Sequence, residues 1–375
     1  MTGPRAYPTP LPPIEALAPD YAFTSTSGAV LGFGTSQRYH PGSGPDRYRR
    51  AEEFVAGLGP EAVAFVSFTF DVEDPDSTVV IPKTVARVDA GGAGEVAGAV
   101  DPLPPRTVRS HENRLSVANG SVTDWRRLIA DAVGTIEEGP LRKVVLARTA
   151  IVTGERPFSS VETWHQLRAA HPTSHIFFVD GLVGASPELL VRCLSGTVES
   201  VSLAGSAPGS PDDPMSRDLM SSPKDLEEHQ YAADSVEEAL RPLTSSLHRS
   251  TVRVLDFGEI HHLGTSYRGN LIPEVGALQA TAALHPTAAV AGTPKLEALD
   301  FIARHERVER GRYAGPVGWV DGAGSGELAI AIRCGLVEPD SALLYSGVGV
   351  VAGSDPDEEW EESMLKMRPM LHSLA

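Results

Sequence analysis

Cysteine is nearly absent. Cys193 and Cys334 are the only two in 375 residues, and both lie in strand-like apolar runs without Cys-x-x-Cys spacing. That excludes a disulfide framework and a cysteine metal site, and it is the usage of a reducing compartment. Positive charge is also short. Lys and Arg total 32 against 49 Asp and Glu, a net charge of −17. Such a surface repels polyanions, which argues against nucleic acid or an anionic membrane as partner. An anionic substrate would need its own local positive charge, from a metal ion or from a few Arg and Lys. No apolar run approaches the ~20 residues that span a bilayer. The first residues are Pro-rich and lack the apolar core of a secretory signal. The expectation is a cytoplasmic protein. There are no internal repeats and no low-complexity block.

What is present is the composition of an ordinary globular protein, 41% apolar and 22% charged. The length allows two domains or one large one. The mixed order of strands and helices favours an α+β fold over a doubly wound parallel sheet. The chain reads as a flexible arm over residues 1–20 and a single domain over 21–375. Residues 21–105 read as strands with Gly/Pro turns, including the run from Ala62 to Phe68. Pro102, Pro104 and Pro105 form a connector. A helix is predicted over about 121–137, with Thr123 or Asp124 as N-cap. A strand carrying Lys143 follows, then a helix near 160–170 and a hairpin pairing Ser174 to Val179 with Leu189 to Cys193. Ser222-Pro223-Lys224-Asp225 has the pattern of a capped helix start, and that helix reaches Ala239 or Leu240. Beyond it lie a strand pair around His262 to Thr265 and Gly269, and a helix around 295–309. Strands over Gly315 to Val320, Glu327 to Cys334 and Leu343 to Val350 precede a last helix starting near Asp357.

Several residues stand out against this background. In the strand around Lys143, alternation puts Leu141, Lys143, Val145 and Ala147 on one face. An ammonium on an apolar face is costly unless it is paired or loses its proton. Desolvation turns a lysine into a general base; on this segment alone a salt bridge, or a stem that snorkels to water, is the commoner account. In the last helix Glu359, Glu362 and Lys366 share a face at i, i+3 and i+7, which also suits a solvated acidic helix start. Glu227 and Glu228 lie on the helix opened by Ser222. Carboxylates converging from two helices would suit Mg²⁺, which takes oxygen ligands and leaves positions for an anion. Alternation along Glu327, Ala329, Ala331 and Arg333 leaves room beside the strand, so Arg333 either grips a carboxylate or pairs with Glu327. Gly205, Gly347 and Gly349 sit where backbone can approach a ligand, or at bulges.

With these residues in place, the chain resembles the chorismate-utilising enzymes, and within them the isochorismate synthase branch. The resemblance rests on Lys143-Val144-Val145-Leu146-Ala147-Arg148, Gly184-Ala185-Ser186-Pro187-Glu188-Leu189-Leu190, Leu203-Ala204-Gly205-Ser206, Lys224-Asp225 with Glu228-His229, and His262-Leu263 with Thr265. It continues through Leu284-His285-Pro286-Thr287, Gly311 to Trp319, Ile330 to Cys334, Gly347 to Val350, Ser354-Asp355-Pro356 and Glu359 to Lys366. These occur in family order across about 120–370. The resemblance implies one α+β domain with the site between layers, chorismate as substrate and Mg²⁺ as cofactor. It further implies that Lys143 activates the water that attacks C2 and that Glu188 protonates the departing C4 hydroxyl. By the same resemblance Glu228 and Glu362 bind Mg²⁺ with Glu359 beside them. Arg333 and Lys366 bind substrate carboxylates, and Gly205, Ser206, His262, Thr265, Ala289, Ile332, Tyr345 and Gly347 complete the pocket.

Within the family, the anthranilate branch lacks a lysine at the position of Lys143, and the aminodeoxychorismate branch carries a lysine where this chain has Ala204. Both point to water as nucleophile, hence an isomerase. Salicylate synthase is the neighbouring alternative; it usually has threonine at Ser206. The chain departs from the usual pattern at Ala207, Ala288 and Ala291. No glutaminase-type segment is visible, so no glutaminase subunit is expected, and with no dimer-specific feature the expectation is a monomer. A non-catalytic chorismate-binding protein is opposed by the intact set Lys143, Glu188, Glu228 and Glu362. Siderophore and menaquinone synthesis are the pathways such a product feeds.

Overall fold

A computed structural model describes residues 11–98, 103–107, 112–208, 219–256 and 260–375. The side chains of 206–208, 224, 225, 228 and 260 fall outside that description. One antiparallel ladder runs through these residues. At one end, β12 (Thr244–Arg249) and β13 (Arg253–Asp256) share an edge of β14 (Ile260–Leu271). The order then runs through β11 (Thr197–Pro208), β10 (Leu189–Leu194), β17 (Gly326–Ile330), β16 (Pro316–Asp321) and β3 (Val63–Ser67) to β4 (Thr78–Asp89). From β4, which also carries β5 (Gly94–Gly98), it continues through β2 (Gly28–Tyr39), β1 (Tyr21–Ser25), β8 (His175–Val179) and β9 (Leu182–Ser186). It closes through β18 (Cys334–Val337), β19 (Ala342–Val351) and β7 (Lys143–Gly154). The outer edge of β7 carries β15 (Gly292–Thr293) and β6 (Leu115–Asn119).

The helices among the described residues are α1 (Arg47–Ala56), α2 (Val122–Glu138), α3 (Ser160–Ala170), α4 (Pro223–Leu240), α5 (Ala277–Leu284), α6 (Lys295–His305) and α7 (Pro356–Leu374). The ladder has two apolar faces because its strands alternate. Phe23 and Phe177 enter a large cluster with Phe65, Leu146 and Leu328. Their neighbours Ala22, Ile176 and Phe178 enter a second cluster, which α3 and α7 cover with Trp164, Leu167, Met367 and Met370. Both cysteines are buried, at 2% and 0% exposure. Among the described residues no helix is long and apolar enough to cross a membrane.

The structure corrects several expectations. The partner of β8 is β9, not the segment from Leu189. The two are joined by Asp180-Gly181, both at positive φ (53° and 78°), the two-residue hairpin turn that Asp-Gly favours. The expected strand pair around Gly264 and Gly269 is one strand, β14. A Cβ at Gly264 would stand 2.3 Å from Leu255, and one at Gly269 2.5 Å from the Ser246 carbonyl; here glycine admits neighbours instead of ending the strand. The expected strand from Glu327 to Cys334 breaks after Ile330, where Ile332 N–H turns back to the Ile330 carbonyl at 2.8 Å and Arg333 then adopts φ 52°. The cap of α2 is Ser121, whose Oγ accepts from Asp124 N–H at 3.1 Å. Helix α6 ends at His305, and Glu306 is already extended. Helix α1 interrupts the stretch expected as strands, with Tyr48, Ala51 and Val55 as its buried helical stripe. Of the expected arm, residues 1–10 lie outside the described set. Leu17 is 1% exposed and bridges to Pro105, and its carbonyl meets His165 Nε2 at 2.9 Å.

Candidate active site

A cavity of about 290 Å³ opens where β7 and β19 meet α7. Lys143 begins β7 and lines it. On the neighbouring strand a Cβ at Gly349 would come within 2.8 Å of Lys143 Cε, so glycine there leaves the lysine stem its path. Glu188 stands in the two-residue gap between β9 and β10 and is 4% exposed. Its Oε1 accepts a long hydrogen bond, 3.5 Å, from Thr287 Oγ1. Burial pushes its pKa up to about 7, against the opposing pull of Lys143 and Arg333. A buried carboxyl in this state holds a proton near neutrality and can donate it.

Arg333 reaches the cavity through its left-handed backbone, a conformation that is uncommon outside glycine and clusters at functional sites. Its carbonyl accepts from Ala185 N–H at 3.1 Å, tying the bend to β9. Pairing with Glu327 is excluded: Glu327 accepts from Ser27 Oγ at 3.1 Å and faces His175 at 3.5 Å. Lys366 donates to the Gly347 carbonyl at 3.0 Å and pairs with Glu362 at 2.5 Å. Burial raises the Glu362 pKa, but Lys366 and Arg333 outweigh it and hold it below the usual value. His262 is driven down to about 3 by burial, with Arg333 and Lys366 adding to the effect, so its imidazole is neutral.

Helix α7 aims Glu358, Glu359 and Glu362 at the cavity. Asp355 caps it, accepting from Asp357 and Glu358 N–H at 2.8 and 3.2 Å. On an adjoining face, Arg148 from β7 donates to Ser363 Oγ at 2.6 Å and stacks 3.9 Å over the Trp360 ring. Arg148 has no carboxylate partner among the described residues, and burial lowers it to about 10. Glu359 is 9% exposed, and its Oε2 has no hydrogen-bond partner among the described residues. Burial, and then the Glu362 charge, push it up to about 7. An orphaned carboxylate oxygen beside a second carboxylate is a donor set that a hard cation completes. Among the described residues no group of three or more His, Cys, Asp or Glu is placed to hold a metal. Glu228 lies on α4, and its side chain is outside the described set.

Of the residues singled out from sequence, the cavity brings together Lys143, Glu188, Gly205, His262, Ala289, Ile332, Arg333, Gly347, Glu359, Glu362 and Lys366. Ser206 lies on β11 opposite His262, its side chain undescribed. Two others stand behind the wall. Thr265 is hydrogen-bonded to His229 at 2.7 Å, which joins α4 to β14. Tyr345 stacks on Tyr313 with centroids 5.1 Å apart. Tyr313 lines the cavity itself, as do Leu203 and Val290; sequence reasoning gave none of them a role. Tyr313 was within reach, since it sits inside the Gly311 to Trp319 motif. Three basic side chains, Lys143, Arg333 and Lys366, therefore face a space whose acids are gathered chiefly on one helix.

A family model described as chorismate binding enzyme matches residues 100–375. The chain is 36% identical over 263 residues to the salicylate biosynthesis isochorismate synthase of Pseudomonas aeruginosa, covering 67% of this chain and 54% of that protein, so it spans about half of that relative's length. It is 38% identical over 270 residues to the isochorismate synthase DhbC of Bacillus subtilis, covering 67% and 68% of the two chains. It is 33% identical over 379 residues to the putative isochorismate synthase MenF of Mycobacterium tuberculosis, covering 95% and 96%. Among solved structures, the crystal structure of the putative 2,3-dihydroxybenzoate-specific isochorismate synthase DhbC from Bacillus anthracis superposes with a TM-score of 0.81 at 28% identity, over 95% of this chain and 96% of that one. The ladder, the cavity and these matches together place the chain in the chorismate-binding enzyme family.

Proposed function

We propose that this protein is an isochorismate synthase, which converts chorismate reversibly to isochorismate with Mg²⁺. The observation that supports this reading best is the joint presence of Lys143 and a proton-holding Glu188 in one cavity. Lys143 removes a proton from water as its oxygen bonds to C2. The ring double bonds shift, the C4–O bond breaks, and Glu188 gives its proton to the departing hydroxyl. One water enters and one leaves, so the reaction is an isomerisation. Acid and base exchange roles in the reverse direction. Arg333 and Lys366 hold the substrate carboxylates, and the neutral His262 supplies a polar wall without adding charge. Glu359 and Glu362 would hold Mg²⁺, with Glu228 from α4. When bound, the ion supplies charge neutralisation for a carboxylate. Ala204 lines the cavity with no amine, which favours water over an enzyme nucleophile. The protein acts as a cytoplasmic monomer without a glutaminase subunit or nucleic acid, and its product feeds siderophore or menaquinone synthesis.

The test is chorismate with purified protein, with and without Mg²⁺, and chromatography of the products. Isochorismate formed only with Mg²⁺ is the expected result. Salicylate with stoichiometric pyruvate would move the chain to the salicylate branch. No Mg²⁺-dependent product would leave a binding protein.

A further inference from the structure

The edge of β7 that faces away from β19 is served in three ways. Lys143 and Val144 pair with β15, and the stretch from Ala150 to Gly154 pairs with β6. Between them, no strand among the described residues lies alongside Val145 and Ala147. Their outward backbone groups must still find partners, because they are buried. Val145 N–H reaches the Ala291 carbonyl at 2.9 Å. Two more of these groups go to side chains. Ala147 N–H donates to Glu306 Oε2 at 2.7 Å, and the Val145 carbonyl accepts from Arg310 Nη2 at 2.7 Å.

Glu306 and Arg310 form a two-pronged pair, Nε to Oε1 at 2.6 Å and Nη2 to Oε2 at 2.8 Å, with side-chain exposures of 2% and 4%. Arg310 also donates to the Val290 carbonyl at 2.9 Å, and the Phe70 ring lies 4.2 Å beneath its guanidinium. We propose that this buried ion pair is a positioning device for the reaction, in which two side chains stand in for a strand and fix both the Lys143 strand and the Val290 loop.

A buried ion pair adds little stability over well-packed apolar residues of the same size. Its particular contribution is directional: it fixes three backbone groups on two segments that share no strand pairing at that point. Both segments are cavity walls, since Val145 and Val290 line it and Lys143 is two residues from Val145. A shift of about 1 Å in a reacting group costs roughly 10²-fold in rate. The inference rests on Lys143 as the base of the proposed reaction. It also gives Phe70, from the motif-poor first third of the chain, a part in shaping the site.

The test compares Arg310→Met, Arg310→Lys and the neutral double variant Glu306→Gln/Arg310→Met with the parent. Folding is checked by circular dichroism and thermal melting. Expected for Arg310→Met and for the double variant is a fall in kcat of about 10²-fold, with KM for chorismate changed less than about threefold. Arg310→Lys recovers part of the loss, and amide exchange at Val145 to Ala147 is at least about tenfold faster in Arg310→Met. A folded double variant with kcat within about threefold of the parent overturns the proposal, as does a loss that falls equally on KM and kcat. If the parent itself shows no turnover, the proposed reaction has failed, and the exchange experiment then decides alone: unchanged protection at Val145 to Ala147 removes the positioning role.

Discussion

Glu188→Gln is expected to move activity and stability in opposite directions. The side chain is buried, and burial holds its pKa near 7 against an ordinary 4.5. For chorismate turnover it must carry a proton. The protonated fraction falls tenfold per pH unit above 7, so kcat/KM should decline along that limb and reach about a tenth of its plateau at pH 8. Glutamine keeps the volume and an amide for Thr287, but it cannot deliver a proton to the leaving hydroxyl. Loss of a positioned acid removes roughly 10²- to 10⁴-fold in rate, about 3 to 5 kcal/mol of barrier. Stability runs the other way. The folded state binds this proton more tightly than the unfolded chain does, so its contribution is favourable at low pH and is lost as pH rises from about 4.5 through about 7. With about 1.4 kcal/mol per pKa unit, ionised Glu188 destabilises the fold by an amount on the order of 3 kcal/mol above that window. Glutamine carries no such term, so the variant should melt higher than the parent at pH 8 and no higher at pH 4.5. The assay is product chromatography over pH 5.5–9 with melts in the same buffers. Turnover within threefold of the parent, or a falling limb retained in the variant, would refute the assignment of Glu188 as acid.

Other consequences are as direct. Lys143→Ala should abolish hydration while chorismate still binds, read by calorimetry beside turnover; near-normal turnover removes the base assignment. Glu362→Gln should raise the Mg²⁺ concentration needed for half-maximal rate, and an unchanged Mg²⁺ titration would end its role as a ligand. Gly349→Ala places a methyl 2.8 Å from Lys143 Cε. Only the far part of a flexible side chain has to move, so the melt should stay close to the parent's while kcat falls by about 10- to 10²-fold.

Much of this was legible in the chain because it is local. The i, i+3, i+7 spacing of Glu359, Glu362 and Lys366 is a property of one helix, and α7 presents Glu359 and Glu362 to the cavity together as that spacing requires. What failed was alternation extended too far. Along Glu327 to Cys334 a regular strand would have kept Arg333 on the face of Glu327, but the chain turns after Ile330, and Arg333 at φ 52° lines the cavity instead. No hydrophobic pattern encodes a left-handed arginine. The β8–β9 hairpin is encoded locally in Asp180-Gly181, a turn signal that a pairing with Leu189 to Cys193 leaves out. The clasp on β7 was not readable at all, because Ala147 and Glu306 meet only through the fold.

The burial of both cysteines has a practical consequence. Maleimides, disulfides and peroxides all act on the thiolate. Burial pushes Cys193 up to about 12 and Cys334 higher still, leaving at neutral pH about one thiolate in 10⁵ at Cys193 and fewer at Cys334. The native chain is thus a chemically silent background. A single cysteine introduced at Leu296, which is 78% exposed on the first turn of α6, would be the one reactive thiol, and a fluorophore placed there would report on the protein without a cysteine-free parent having to be made first.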